Sequence, residues 1–127
     1  MGMKNLWRSL GGITLTSGYD LINELGGKIK MLDAMPALIE KRGREKALTE
    51  CNYRKALRKL ILEERSKGTP VTVISDIVRG DEKTADLKFA RDVAESLYDA
   101  AKEACNVYKI ESKILENQIQ REWSSLK

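Results

Sequence analysis

The stretch DEKTADLKFARDVAESLYDAAKEACNVYKIESKILENQIQREWSSLK, residues 81–127, decides the fold. It contains neither Gly nor Pro, and its apolar residues recur at helical spacing. The run is far longer than an ordinary globular helix, which indicates one extended amphipathic helix over about 82–125. Because such a helix gains its stability by burying its apolar face, it requires partner helices.

Apolar residues within this stretch alternate in steps of three and four, which is the spacing of a coiled-coil heptad. Ala is frequent among them, and its small side chain permits a close approach between helices. We therefore predict an oligomer seam along this helix and expect a homo-oligomer. The candidate seam residues are Leu87, Ala94, Leu97, Ala101, Tyr108, Ile114, Leu115, Ile119 and Trp123.

The preceding residues predict two further long helical segments, over about 19–35 and 37–66. Gly26-Gly27 and Pro36 interrupt the helical spacing, so we expect them to break or kink the chain. The second segment ends at Lys67-Gly68, with Pro70 just beyond.

Residues 69–80 are ambiguous, because their β-branched apolar residues also fit a strand. A lone strand has no pairing partner in this chain, whereas Val73, Ile74, Ile77 and Val78 form one face of a helix. We therefore predict a short helix over about 71–79. The predicted fold is all-α: a long antiparallel helical hairpin with a short helix at the bend and an N-terminal helical arm, bundle-like on oligomerisation. Residues 1–18 are expected to be a flexible arm, and 19–127 a single domain.

The charge is unevenly distributed along the 127 residues, whose formal net charge is +4. Residues 81–127 contain 8 basic and 10 acidic residues out of totals of 23 and 19, so residues 1–80 have a net charge of +6. A basic half and an acidic half attract each other or a second copy in antiparallel register. A net charge of +4 is too modest to imply nucleic-acid binding by itself.

Six basic residues on the second predicted helix are candidate contacts for nucleic acid or for an acidic partner. Acidic residues lie between them and form pairs such as Glu50–Arg54, so a solvated face with salt bridges is the competing interpretation. The six candidates are Lys41, Arg44, Arg54, Lys55, Arg58 and Lys59.

Catalysis and metal binding find little support in the sequence. The chain has no His, the commonest general base, and only two Cys, which are too few for a zinc site within one chain. We expect no enzymatic activity, no catalytic or metal site and no cofactor. No segment has the length and apolarity of a signal peptide or a membrane span, so we expect a cytoplasmic protein in the host cell with no membrane association.

Residues 41–123 resemble a family of small, uncharacterised helical proteins from early-gene regions of temperate phages and prophages of Gram-positive bacteria. The resemblance rests on four segments: NYRKAL (52–57), GTPVTVISDIVRG (68–80), LKFARDVAE (87–95) and ENQIQREW (116–123). It implies a phage origin but supplies no activity and no site residues.

Two functions follow as expectations. The first is a non-enzymatic interaction protein that self-associates and docks a helical surface on a phage or host protein, with countering of host defence as one role. The alternative is a nucleic-acid-binding accessory of phage recombination or replication that uses the basic helix 41–59.

Overall fold

The computed structural model describes residues 18–126, which form three helices and no strand. Helix α1 spans Gly18–Ser66, α2 spans Val71–Gly80 and α3 spans Glu82–Ser125. The predicted all-α hairpin is confirmed: α1 and α3 pack together, and the short α2 lies between them in the chain. The predicted flexible arm lies outside the described residues, except for Gly18, which begins α1.

Helix α1 joins the two segments that the sequence suggested were separate. Gly26, Gly27 and Pro36 all lie inside it. The local cost of these residues is offset because the covered positions Leu32, Met35 and Ile39 keep their helical spacing on both sides of Pro36.

The described residues divide into two compact units. The first unit consists of residues 18–36 and 102–126, and the second is Ala37–Ala101. Each unit contains one part of α1 and one part of α3, and the second also contains α2.

The first unit has a small apolar core and one cross-helix ion pair. Leu21 of α1 and Leu115 of α3 are fully buried. Lys28 Nζ lies 2.5 Å from Glu111 Oε2 and 5.6 Å from the centroid of the Tyr108 ring. The apolar stem of Lys28 therefore occupies a covered position while its charge is paired.

The second unit is held by α1, α2 and α3 together. Ile74 and Val78 of α2 are buried, as are Ala94 and Ala101 of α3. The turn after α1 is a Schellman motif, in which Gly68 has φ +79° and Thr69 N donates to Glu64 O at 3.1 Å. That positive φ explains why glycine occupies this position.

On each long helix, one set of covered residues follows a heptad, with steps of three and four. We call these two sets the inner positions. On α1 they are Leu21, Leu25, Lys28, Leu32 and Met35 in the first unit and Ile39, Arg42, Lys46, Thr49, Tyr53, Ala56 and Leu60 in the second. On α3 they are Thr84, Leu87, Arg91, Ala94, Tyr98 and Ala101 in the second unit and Cys105, Tyr108, Ser112, Leu115 and Ile119 in the first.

Candidate interaction surfaces

The nine candidate seam residues of α3 divide between the interior of the chain and its surface. Ala94, Ala101 and Leu115 are buried, and Leu87, Tyr108 and Ile119 are partly covered. Leu97, Ile114 and Trp123 are exposed. The first six are covered within one chain, so only the last three remain available to a partner.

The second unit has an exposed apolar stripe on α3. Phe89, Val93 and Leu97 have relative exposures of 71%, 41% and 39%. They follow one another at four-residue intervals and therefore lie on one side of the helix. Glu82 and Asp86 continue this stripe toward the N-terminus of α3, and both are exposed. We call these five residues the acidic face.

A second stripe lies on the outer side of α1 in the same unit. Leu48 and Leu62 are exposed by 61% and 50%, and Lys41, Lys55 and Lys59 lie along the same side of the helix. We call these five residues the basic face. The two faces carry opposite charges, and each includes exposed apolar side chains.

The six candidate basic residues are all exposed, but they differ in their partners. Arg44 Nη2 lies 3.0 Å from Glu40 Oε1, and Arg54 Nε lies 2.7 Å from Glu50 Oε1. Within residues 18–126, the other four form no ion pair; these are Lys41, Lys55, Arg58 and Lys59. The structure therefore supports a solvated ion-paired arrangement for two candidates and leaves four charges available.

Arg91 is a functional candidate that the sequence analysis missed. Its guanidinium carbon lies 4.7 Å from the centroid of the Tyr53 ring, its Nε 3.5 Å from Glu50 Oε2, and its Nη2 2.9 Å from Asp92 Oδ1. The hydrogen bond to Asp92 raises the pKa of Arg91. The hydrogen bond from Arg54, followed by the charge of Arg91, lowers the pKa of Glu50.

An open cleft of about 600 Å³ lies between α1 and α3 in the second unit. Lys46 Nζ lies 4.9 Å from the centroid of the Tyr98 ring beside this cleft. The cleft includes acidic and basic side chains but neither a Cys nor a His. Its lining consists of Gly43, Lys46, Ala47, Glu50, Arg91, Glu95 and Tyr98.

The first turn of α3 is capped by Asp81. Its Oδ2 accepts hydrogen bonds from Thr84 N at 2.9 Å and from Thr84 Oγ1 at 2.8 Å. These bonds, the backbone one first, lower the pKa of Asp81. This is an N-cap, which fixes where α3 begins and therefore where the acidic face begins.

Residues 18–126 contain neither a candidate metal site nor a candidate membrane span. No cluster of three or more His, Cys, Asp or Glu side chains there is arranged to hold a metal ion. No helix in that range combines the length and apolarity needed to cross a bilayer. No protein-family model, curated protein or solved structure matches this chain.

Proposed function

We propose that this chain is a non-enzymatic interaction protein that binds another protein chain through the acidic face of α3. The observation that supports this proposal is the exposure of Phe89, Val93 and Leu97 at helical spacing on a helix that already buries its opposite side. Contiguous exposed apolar side chains on a soluble protein commonly mark an interaction site.

The amount of apolar surface left exposed supports the same conclusion. Within residues 18–126, seven apolar residues are buried, whereas seventeen large apolar residues are exposed. A core this small leaves much apolar surface that a partner can cover. Full burial of an exposed Phe, Val or Leu side chain contributes about 1.5–3 kcal/mol. Phe89, which is 71% exposed, has the largest fraction of its surface left to bury.

The chemistry of the face defines the partner. Glu82 and Asp86 lie at one end of the apolar stripe, and neither forms an ion pair in the described part of the chain. A helix with apolar residues and unpaired Lys or Arg residues fits such a surface, because opposite charges guide association and fix the register. The resemblance to phage proteins is our reason for seeking this partner among phage or host proteins, defence proteins included.

Photo-crosslinking in bacterial cells tests the proposal. A benzophenone amino acid replaces Phe89 in one variant and Glu95 in the control, because Glu95 is exposed on the cleft side of the same helix. We expect protein adducts from position 89 and far fewer from position 95. Equal yields from both positions, or no adducts from position 89, would contradict the proposal.

A second function, nucleic-acid binding, is favoured by the four basic residues without ion pairs. Counterion release makes such binding weaken steeply as the salt concentration rises. A gel-shift assay at low salt compares two double variants with the same change in charge. One carries Lys55→Glu and Lys59→Glu, and the other carries Arg44→Glu and Arg54→Glu. A larger loss of binding in the first double variant than in the second supports this function. No binding by the parent chain at low salt excludes it.

A further inference from the structure

We infer that the partner of the acidic face is the basic face of a second copy of this chain, packed in antiparallel register. This inference rests on the proposed function, because it names the occupant of the surface proposed there. The partner described above is a helix with apolar residues and unpaired basic residues, and α1 of this chain is such a helix.

Lys59 of the basic face and Leu97 of the acidic face lie on the same side of the second unit. Glu50 of α1 and Glu95 of α3 both line the open cleft, so the cleft sides of the two helices point in one direction. Lys59 on α1 and Leu97 on α3 each lie on the flank of the inner positions that is opposite the cleft side. Both residues therefore point away from the cleft. A second copy can thus contact both faces at once.

The spacings along the two faces match when one helix is read backwards. On α1, Leu48 precedes Lys55 by seven residues, and Lys55 precedes Lys59 by four. On α3, Val93 follows Asp86 by seven residues, and Asp86 follows Glu82 by four. An antiparallel pair therefore places Leu48 opposite Val93.

In the same register, Lys55 lies opposite Asp86 and Lys59 lies opposite Glu82. All four side chains are exposed, and none forms an ion pair within residues 18–126. The charges are therefore available to a second copy without loss of an existing interaction.

Two copies related by a twofold axis make this contact twice. The α1 helix of each copy lies against the α3 helix of the other, so both contacts are the same and the assembly closes as a dimer. The second unit of each chain then contributes two helices to a four-helix arrangement, which is a common way to cover such faces.

Charge reversal with mixing tests the inference. One variant carries Lys55→Glu and Lys59→Glu, and the other carries Glu82→Lys and Asp86→Lys. In either variant alone, both contacts of the dimer bring like charges together, and we expect the dimer dissociation constant to rise about tenfold or more. In a mixture, every opposed pair is again opposite in sign, so dimers form between the two variants.

Sedimentation equilibrium on the full chain measures these dissociation constants, and circular dichroism verifies that each variant is as helical as the parent. Tight dimers in both unmixed variants, or no recovery on mixing, would overturn the inference. A parent chain that stays monomeric would also overturn it. If the benzophenone at position 89 crosslinks to a protein other than this chain, the proposed function stands while this inference fails.

Thiol crosslinking reads the register directly. Cys51 is an exposed free thiol on α1, and the proposed register places it opposite Ala90 of the second copy. With Cys105 replaced by Ser, a short bismaleimide is expected to join Cys51 of one chain to Ala90→Cys of the second chain, which gives a covalent dimer, but not to Ala100→Cys. Position 100 lies ten residues along the same helix, about 15 Å away. Preferential crosslinking of Ala100→Cys would contradict the register.

Discussion

The guanidinium carbon of Arg91 on α3 lies 4.7 Å from the centroid of the Tyr53 ring on α1. Both residues occupy inner positions, where a hairpin of this kind usually has apolar side chains. Arg91 is accommodated there because its planar group stacks on the ring while its nitrogens reach Glu50 and Asp92. A charged residue thus serves as part of the interface between the two helices.

Replacing Arg91 by Ala is expected to lower the melting temperature by roughly 3 °C, because the stack on Tyr53 and the contact with Glu50 are lost together. Arg91→Lys is expected to lie between the parent and Arg91→Ala, since Lys retains the charge but lacks the planar group. The same Ala substitution in a Tyr53→Leu background should have a smaller effect. Thermal unfolding, monitored by circular dichroism, measures these effects. Equal effects of Arg91→Ala in both backgrounds would contradict an interaction between Arg91 and Tyr53.

Asp81 is expected to make stability depend on pH. Its pKa is lowered in the folded chain by the hydrogen bonds from Thr84. Because the pKa of Asp81 is lower in the folded chain than in the unfolded chain, where it is near 3.8, the ionised carboxylate stabilises the fold above that pH. This contribution is lost as the pH falls through the folded pKa. Asp81→Ala should therefore lower the melting temperature by several degrees at pH 7 but have little effect at a pH below the folded pKa.

The control for the Asp81 experiment is Asp76→Ala on α2. Asp76 is exposed and accepts no hydrogen bond within residues 18–126. We expect almost no change in melting temperature from this substitution at either pH. A pH dependence of equal size in both variants would show that the capping bonds of Asp81 are not its cause.

The fold could be predicted from the sequence because its strongest signals are local. The Gly- and Pro-free run of α3, the Gly68 turn and the face of α2 each specify their element without distant contacts. The continuity of α1 could not be predicted in this way. Gly26, Gly27 and Pro36 favour a break locally, and only packing against another helix outweighs that preference.

The candidate seam was only partly predictable, because several inner positions of α3 are polar or reactive. Arg91, Cys105 and Ser112 occupy inner positions, so apolar spacing alone also selects exposed residues such as Leu97 and Ile114. Leu97 is exposed, whereas its neighbour Tyr98 lies against Gly43 of α1. A Cβ atom added to Gly43 would lie 3.4 Å from Tyr98 Cε2. In the sequence, the acidic face and the basic face were visible only as an uneven distribution of charge between residues 1–80 and 81–127.

The assignment of inner positions predicts very different results for two neighbouring residues of α3. Leu115 is fully buried, so Leu115→Ala should reduce the free energy of unfolding by about 2–5 kcal/mol through lost burial and a cavity. Ile114 is 41% exposed, and Ile114→Ala should reduce it by less than about 1.5 kcal/mol. Urea unfolding of both variants measures the difference, and an effect of Ile114→Ala as large as that of Leu115→Ala would contradict the assignment.

Ser112 occupies an inner position of the first unit with its hydroxyl unsatisfied. The side chain is 7% exposed, and its Oγ has no hydrogen-bond partner within residues 18–126. Because a buried polar group without a partner is destabilising, Ser112→Ala should raise the free energy of unfolding by about 1 kcal/mol. Ser96→Ala is the matched control: Ser96 is an exposed residue of the same helix, so a change of at most about 0.5 kcal/mol is expected. Urea unfolding that shows Ser112→Ala to be less stable than the parent would mean that the hydroxyl contributes a stabilising bond.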